Sequence, residues 1–218
     1  MDFLNAYSLA NLRFLAEGFM VTLEVATLAI IFSFVLGTLI ALIRYSRIPL
    51  LTPFLFMTVE VIRNLPLLLI IFFVYFALPD IGIKLEVFTA AVVALTLFEA
   101  AIISEIVRAG LFSIEKGQIE AAQASGLTQV QLLRYIVLPQ ALRRMVPPLV
   151  SQFISLLKDT SLAVIIALPE VIHNGQIIYN TQVSFVIPIL LLIALWYFVV
   201  NFSLSLVAKK LELRKNSS

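Results

Sequence analysis

The chain has 218 residues, no cysteine, one histidine and a formal net charge of +2, with 61% hydrophobic and 13% charged residues. Soluble domains carry about 25% charged residues, so this deficit and a mean hydropathy of +1.07 identify an integral membrane protein. Disulfides, zinc sites and thiol chemistry are excluded by the missing cysteines, and the distribution of the positive charge argues for membrane topology rather than a nucleic-acid partner.

In chain order, residues 1 to 16 are mixed and amphipathic and predict a surface segment; they lack the basic start and short apolar core of a cleavable signal, so the first hydrophobic run is expected to stay. Phe19 to Ile43 holds a single charge, Glu24, and predicts the first span, ended by Arg44, Arg47 and Pro49. Phe54 to Leu78 predicts a second span that Pro66 should kink or break. Ala77 to Glu86 reads as a turn, and Val87 to Val107 as a third span carrying Glu99 and Glu105. The apolar signal then disappears from Arg108 to Arg144. It returns after Pro147 and Pro148 as a fourth span, Leu149 to Leu168, with Lys158 and Asp159 in its middle. A polar segment, Glu170 to Gln182, reads as an outer loop, and Val183 to Ala208 forms the fifth span before a basic tail.

The segments after spans one, three and five hold two, five and four basic residues, whereas the opposite sides hold Arg13, Lys84 and none. The positive-inside rule then places the N-terminus outside and the C-terminus in the cytoplasm. The fold expected is a single all-α membrane domain over residues 1–218 with about five transmembrane helices.

A charge at the bilayer centre costs roughly 3 kcal/mol, so each intramembrane ion demands a partner or a wet cavity. Gln152, Ser155 and Asp159 fall on one helical face, bordered by Lys158. Lys158 and Asp159 can serve the carboxylate and ammonium of a zwitterionic amino acid, or can pair with each other or a neighbouring helix to hold the bundle. Gln152, read as the outer position of this stripe, disfavours a site dedicated to a cationic side chain. Glu60, Arg63 and Asn64 lie at i, i+3 and i+4 just before Pro66, either lining a cavity at a broken helix or stabilising the kink. Glu99 has no partner nearby in sequence and is a lesser cavity candidate; Glu105 and Arg108 read as a structural pair. His173 reads as a loop residue. A membrane-embedded enzyme lacks its means here, since there is no thiol, one histidine and no Walker lysine loop. A stand-alone secondary transporter or channel is the alternative that the buried carboxylates support.

The polar segment from Gly117 to Pro139 contains Glu120, Ala121, Ala122, Gly126, Ile136, Leu138 and Pro139, that is EAA, three residues, Gly, nine residues, Ile, one residue, Leu-Pro. This spacing resembles the EAA loop of ABC importer permeases. Together with IRNLPLLLIIFFVYFALP from Ile62, LFEAAIISEIVRAGL from Leu97 and LPQALRRMVPPLVSQFISLLKDTSLAVI from Leu138, it makes nearly the whole chain similar to the polar amino acid permeases of bacterial ABC importers. The resemblance implies a type I ABC importer permease fold in the bacterial cytoplasmic membrane and transport of a polar amino acid, glutamine first and glutamate or aspartate next. It implies a homo- or heterodimer with a like permease, two ATPase subunits that bind the ATP and Mg, an extracytoplasmic binding protein, and no cofactor in this chain. It makes residues 117–139 a cytoplasmic coupling helix docked in the ATPase. Substrate contacts it places among Arg63, Asn64, Gln152, Lys158 and Asp159. Within the coupling segment, Glu120 is expected to cap or pair with the first turn, the alanines to keep the helix thin and Gly126 to allow a sharp turn.

Overall fold

The computed structural model describes residues 1–216, and every regular element among them is helical. A short α1 (Phe3–Ala6) leads into α2 (Leu9–Tyr45), a broken pair α3 (Leu51–Asn64) and α4 (Leu67–Phe72), and the long α5 (Val87–Phe112). Two short helices, α6 (Lys116–Ala124) and α7 (Gln129–Leu132), precede α8 (Leu138–Asp159), α9 (Val171–Thr181) and α10 (Val186–Asn216). Among the described residues four helical rods are long and apolar enough to cross a bilayer, and the bent α3–α4 pair makes five.

The centre is α2 packed along α5, the most extensive helix contact in the chain. Ala29, Ser33, Gly37 and Ala41 recur every fourth residue on α2 and are all buried, facing an α5 that buries Ala90, Ala91, Ala94, Ala100, Ala101 and Ser104. Lipid tails are as apolar as leucine, so helices associate where small residues let backbones approach closely. The approach is tightest at Gly37, where a Cβ would stand 2.7 Å from the Ala100 carbonyl oxygen and 2.9 Å from the Ile103 side chain.

Pro66 breaks the second span as its chemistry requires. The segment Leu51–Asn64 and the one that follows it, Leu67–Ile81, meet at 106°, and Leu65 before the proline is extended. Three expectations are corrected. Residues 9–16 belong to α2 rather than to a separate surface segment, because Ser8 caps that helix by accepting from the Asn11 N–H. Pro147 and Pro148 do not start the fourth span; they lie inside α8. Each removes a backbone N–H donor from the helix, next to the exposed residues Arg143 and Arg144. The α-helix then ends at Asp159 and tightens into a 3₁₀ turn, Thr160–Ile166, so Lys158 and Asp159 sit at a change of helix type instead of in mid-helix.

The outer loop expected at 170–182 is also largely a helix. Glu170 caps α9 by accepting from the backbone N–H of Ile172 (2.9 Å) and His173 (2.8 Å), so His173 is helical. The Val171 N–H donates to the Thr22 hydroxyl and the Asn174 amide to the Phe14 carbonyl, which pins α9 to α2. Glu170 is fully buried, and burial pushes its carboxyl up to about 7 against the opposing pull of the two N–H donors. The fold therefore favours the protonated acid. Its contribution is complete below about 4.5, the unfolded value, and is lost as pH rises through about 7. Between pH 6 and 8 the protein is expected to lose about 1.4 kcal/mol, or about 3 °C in unfolding midpoint. Thermal unfolding of wild type and Glu170→Gln across that range checks this, since the glutamine variant should show a shallower profile there than wild type.

Candidate functional site

The coupling segment folds as two short helices around a tight turn. Gly126 has φ +80°, its N–H donates to the Gln123 carbonyl, and the Leu127 N–H donates to the Ala122 carbonyl, the paired bonds of a Schellman ending. α7 restarts at once because Thr128 and Gln131 cap it reciprocally. Ala122 is buried against a cluster that includes Ile114, Leu132 and Val137, whereas Ala121 is exposed, so the alanine pair divides between the protein and the outside. Ile136 and Leu138 are half-buried and Pro139 is exposed on the same segment. Glu120 neither caps nor pairs among the described residues: it is exposed and stands five residues into α6, too far along for a cap. Glu120, Ala121, Val130 and Tyr135 thus form an outward face whose large apolar members, Val130 and Tyr135, are 74% and 63% exposed.

Through a π-helical turn, Leu133–Val137, this segment continues directly into α8, which carries the polar stripe. Gln152 stands at the end of the stripe nearest the coupling segment rather than at an outer position. Its side-chain amide donates to Glu99 Oε2 across the α5–α8 contact at 2.8 Å. Glu99 is fully buried, and its other oxygen, Oε1, has no hydrogen-bond partner. The Ser155 hydroxyl lies against the Asp159 carboxylate, with the charge of exposed Lys158 acting on it. No ion pair joins Lys158 to Asp159 among the described residues. The structure thus brings Glu99, Gln152, Ser155 and Asp159 together, and Glu99, a minor candidate in sequence, becomes the most buried charged member.

At the α3–α4 break, Arg63 pairs with Glu60 at 3.2 Å, both side chains well exposed, and the Asn64 amide donates to the Glu60 carbonyl at 2.7 Å. The cavity beside the break, about 350 Å³, is lined by apolar side chains including Ile62, Leu65, Leu69 and Leu97, and neither Arg63 nor Asn64 is among its lining residues. α4 packs on the 3₁₀ turn that follows Asp159, and Leu67, Leu156 and Leu157 share one buried cluster. The two helix breaks therefore sit on a common core, with no contact between Arg63 and Asp159 among the described residues.

Sequence reading missed one ionic cluster. Arg44 was read only as a topology signal at the end of the first span, yet its side chain is 3% exposed and pairs with Glu105 Oε1, while Arg108 takes Glu105 Oε2 at 2.7 Å. Arg44 also lies over the Phe56 ring, 5.4 Å from its centroid. The i, i+3 spacing showed Arg108; nothing local shows a partner 61 residues away.

Residues 29–216 match the family model for the binding-protein-dependent transport system inner membrane component. The chain is 62% identical to a probable glutamine ABC transporter permease protein GlnP of Bacillus subtilis (strain 168), over 99% of this chain and all of the relative. It is 36% identical to the glutamine transport system permease protein GlnP of Escherichia coli (strain K12), over 92% of each. Among solved structures, a chain of an amino acid ABC transporter with histidines superposes with TM-score 0.91 at 31% identity, covering 98% of this chain and 99% of that one. A chain of the inward-facing MetNI methionine ABC transporter superposes at 0.73 with 22% identity, over 94% and 99%, a likeness of fold.

Proposed function

Because the chain belongs to the family of binding-protein-dependent transport system inner membrane components, and is an ABC transporter permease, we propose that it imports L-glutamine across the cytoplasmic membrane. In this reading a second permease, alike or homologous, completes the membrane half; two separate ATPase subunits bind ATP and Mg; and an extracytoplasmic binding protein delivers the substrate. The N-terminus then lies outside and the C-terminus in the cytoplasm.

The observation that carries the reading is the physical continuity of the coupling segment with the stripe Gln152, Ser155 and Asp159 on one helical rod, Gln129–Ile166. Closure of the ATPases moves the outward face of α6 and α7, and the rod carries that movement to the polar cluster. The Asp159 carboxylate accepts the substrate's donors, Lys158 beside it is the cation available to the substrate's carboxylate, and the Gln152–Glu99 bond at 2.8 Å fixes the inner end of the stripe. A charged hydrogen bond lost at Asp159 removes binding that a neutral amide cannot replace.

The test is ATP-dependent uptake into proteoliposomes holding this chain with its ATPase and binding protein, comparing labelled glutamine, glutamate and arginine. Wild type should favour glutamine. Asp159→Asn, assembled normally, should take it up at least about tenfold more slowly. Unchanged uptake by that variant would return Lys158 and Asp159 to a structural role, and uptake that persists without ATP would favour a stand-alone secondary transporter.

A further inference from the structure

The Arg44–Glu105–Arg108 cluster is costly to keep and is not explained by substrate binding. Buried ion pairs are poor stabilisers relative to apolar packing, and this one uses both oxygens of a carboxylate that is 16% exposed. Its position is more informative than its strength. α5 reaches the coupling helix α6 through only Ser113, Ile114 and Glu115. α8 is tied to the same junction, because Arg144 donates to the Ser113 carbonyl and Gln140 to the Gln118 side chain. α2 joins the same junction through apolar packing, with Ala41 and Tyr45 in the cluster that holds Ile114, Ala122 and Leu132, and lacks a hydrogen bond of this kind among the described residues. α2 and α3 meet the end of α5 through Arg44, which pairs with Glu105 and covers Phe56 of α3, and through Tyr45 packed on Phe112.

We infer that Glu105 is a positioning residue that transmits movement of the coupling helix into α2 and α3 by holding Arg44 and Arg108 on its two oxygens. The inference rests on the proposed ATP-driven reading. When α6 moves, α5 and α8 follow through chain connectivity and the Ser113 bond, and Glu105 adds an ionic hold on α2 and α3 to the apolar packing of α2 on α5. Without the carboxylate charge, the ATPases still dock and hydrolyse, but the coupling ends of α2 and α3 follow α5 less tightly.

The readout is the ratio of substrate taken up to ATP hydrolysed, measured in one set of proteoliposomes holding the permease, its ATPase and its binding protein. Glu105→Gln should keep assembly and basal hydrolysis and lower the ratio about tenfold. Arg44→Lys, which keeps the charge, should stay near wild type, and Arg44→Gln should reproduce the Glu105→Gln defect. A purely structural role would reduce the amount of assembled complex and leave the ratio untouched, and that result overturns the inference. Should Glu105→Gln fail to assemble, Arg44→Gln decides, since it leaves Glu105 paired with Arg108 at 2.7 Å: a lowered ratio supports transmission and an unchanged one overturns it. A wild-type complex that hydrolyses ATP without driving uptake would refute the import reading itself, and this inference with it.

Discussion

Gly37→Val is expected to abolish assembled permease. The side chain would be built into the closest point of the α2–α5 contact, 2.7 Å from a backbone oxygen and 2.9 Å from Ile103. Neither can retreat cheaply: the oxygen belongs to the helical backbone of α5, and Ile103 is fully buried in the cluster around Ala41 and Val107. The helices must separate, and with them goes the close packing that replaces hydrophobic drive inside a bilayer. Overpacking in a well-filled core costs about 1–3 kcal/mol; a clash with backbone is placed at the upper end or beyond. Size-exclusion chromatography of the solubilised protein should show the variant lost to aggregate or degraded. Gly117→Val, where a Cβ meets nothing within 4 Å, is the matched control and should elute as wild type.

Gly126→Val should have the opposite profile, with full insertion and failed transport. No atom of the chain lies within 4 Å of a Cβ placed there, so the membrane core does not sense the substitution. Its φ of +80° is a conformation that a β-branched residue adopts only at a cost of about 1–3 kcal/mol. The Schellman bonds from Gly126 and Leu127 then weaken, and α6 and α7 lose the angle at which they present Glu120, Ala121 and Val130. ATP-driven uptake should fall at least about tenfold with the amount of permease in the membrane unchanged. Normal uptake by this variant would remove the docking role from the segment.

The contrast between these two glycines shows what was legible in the sequence. The turn at Gly126 is local, and the spacing from Glu120 to Pro139 announced it; the break at Pro66 and the succession of spans were equally visible, because each depends on a run of neighbouring residues. Gly37 is a matter of what lies opposite, although the four-residue recurrence of Ala29, Ser33, Gly37 and Ala41 was an available signal that went unread. The site divides the same way. Gln152, Ser155 and Asp159 shared a face by helical period alone, while the Gln152–Glu99 bond and the Arg44–Glu105 pair join residues 53 and 61 positions apart and leave no trace in either local pattern. Pro147 and Pro148 misled because a proline pair normally ends a helix; here both lie inside α8, which runs on to Asp159.

That uninterrupted helix past the prolines also sets a mechanical scale. From Leu138 to Asp159 the chain advances 1.5 Å per residue, giving an arm of about 32 Å, so in the proposed ATP-driven reading a tilt of about 10° at its coupling end swings the far end by about 5 Å. That is one helical turn, comparable to the length of the cargo itself. In the ATP-driven reading, the helix that runs on past Pro147 and Pro148 is what joins the stroke to Asp159.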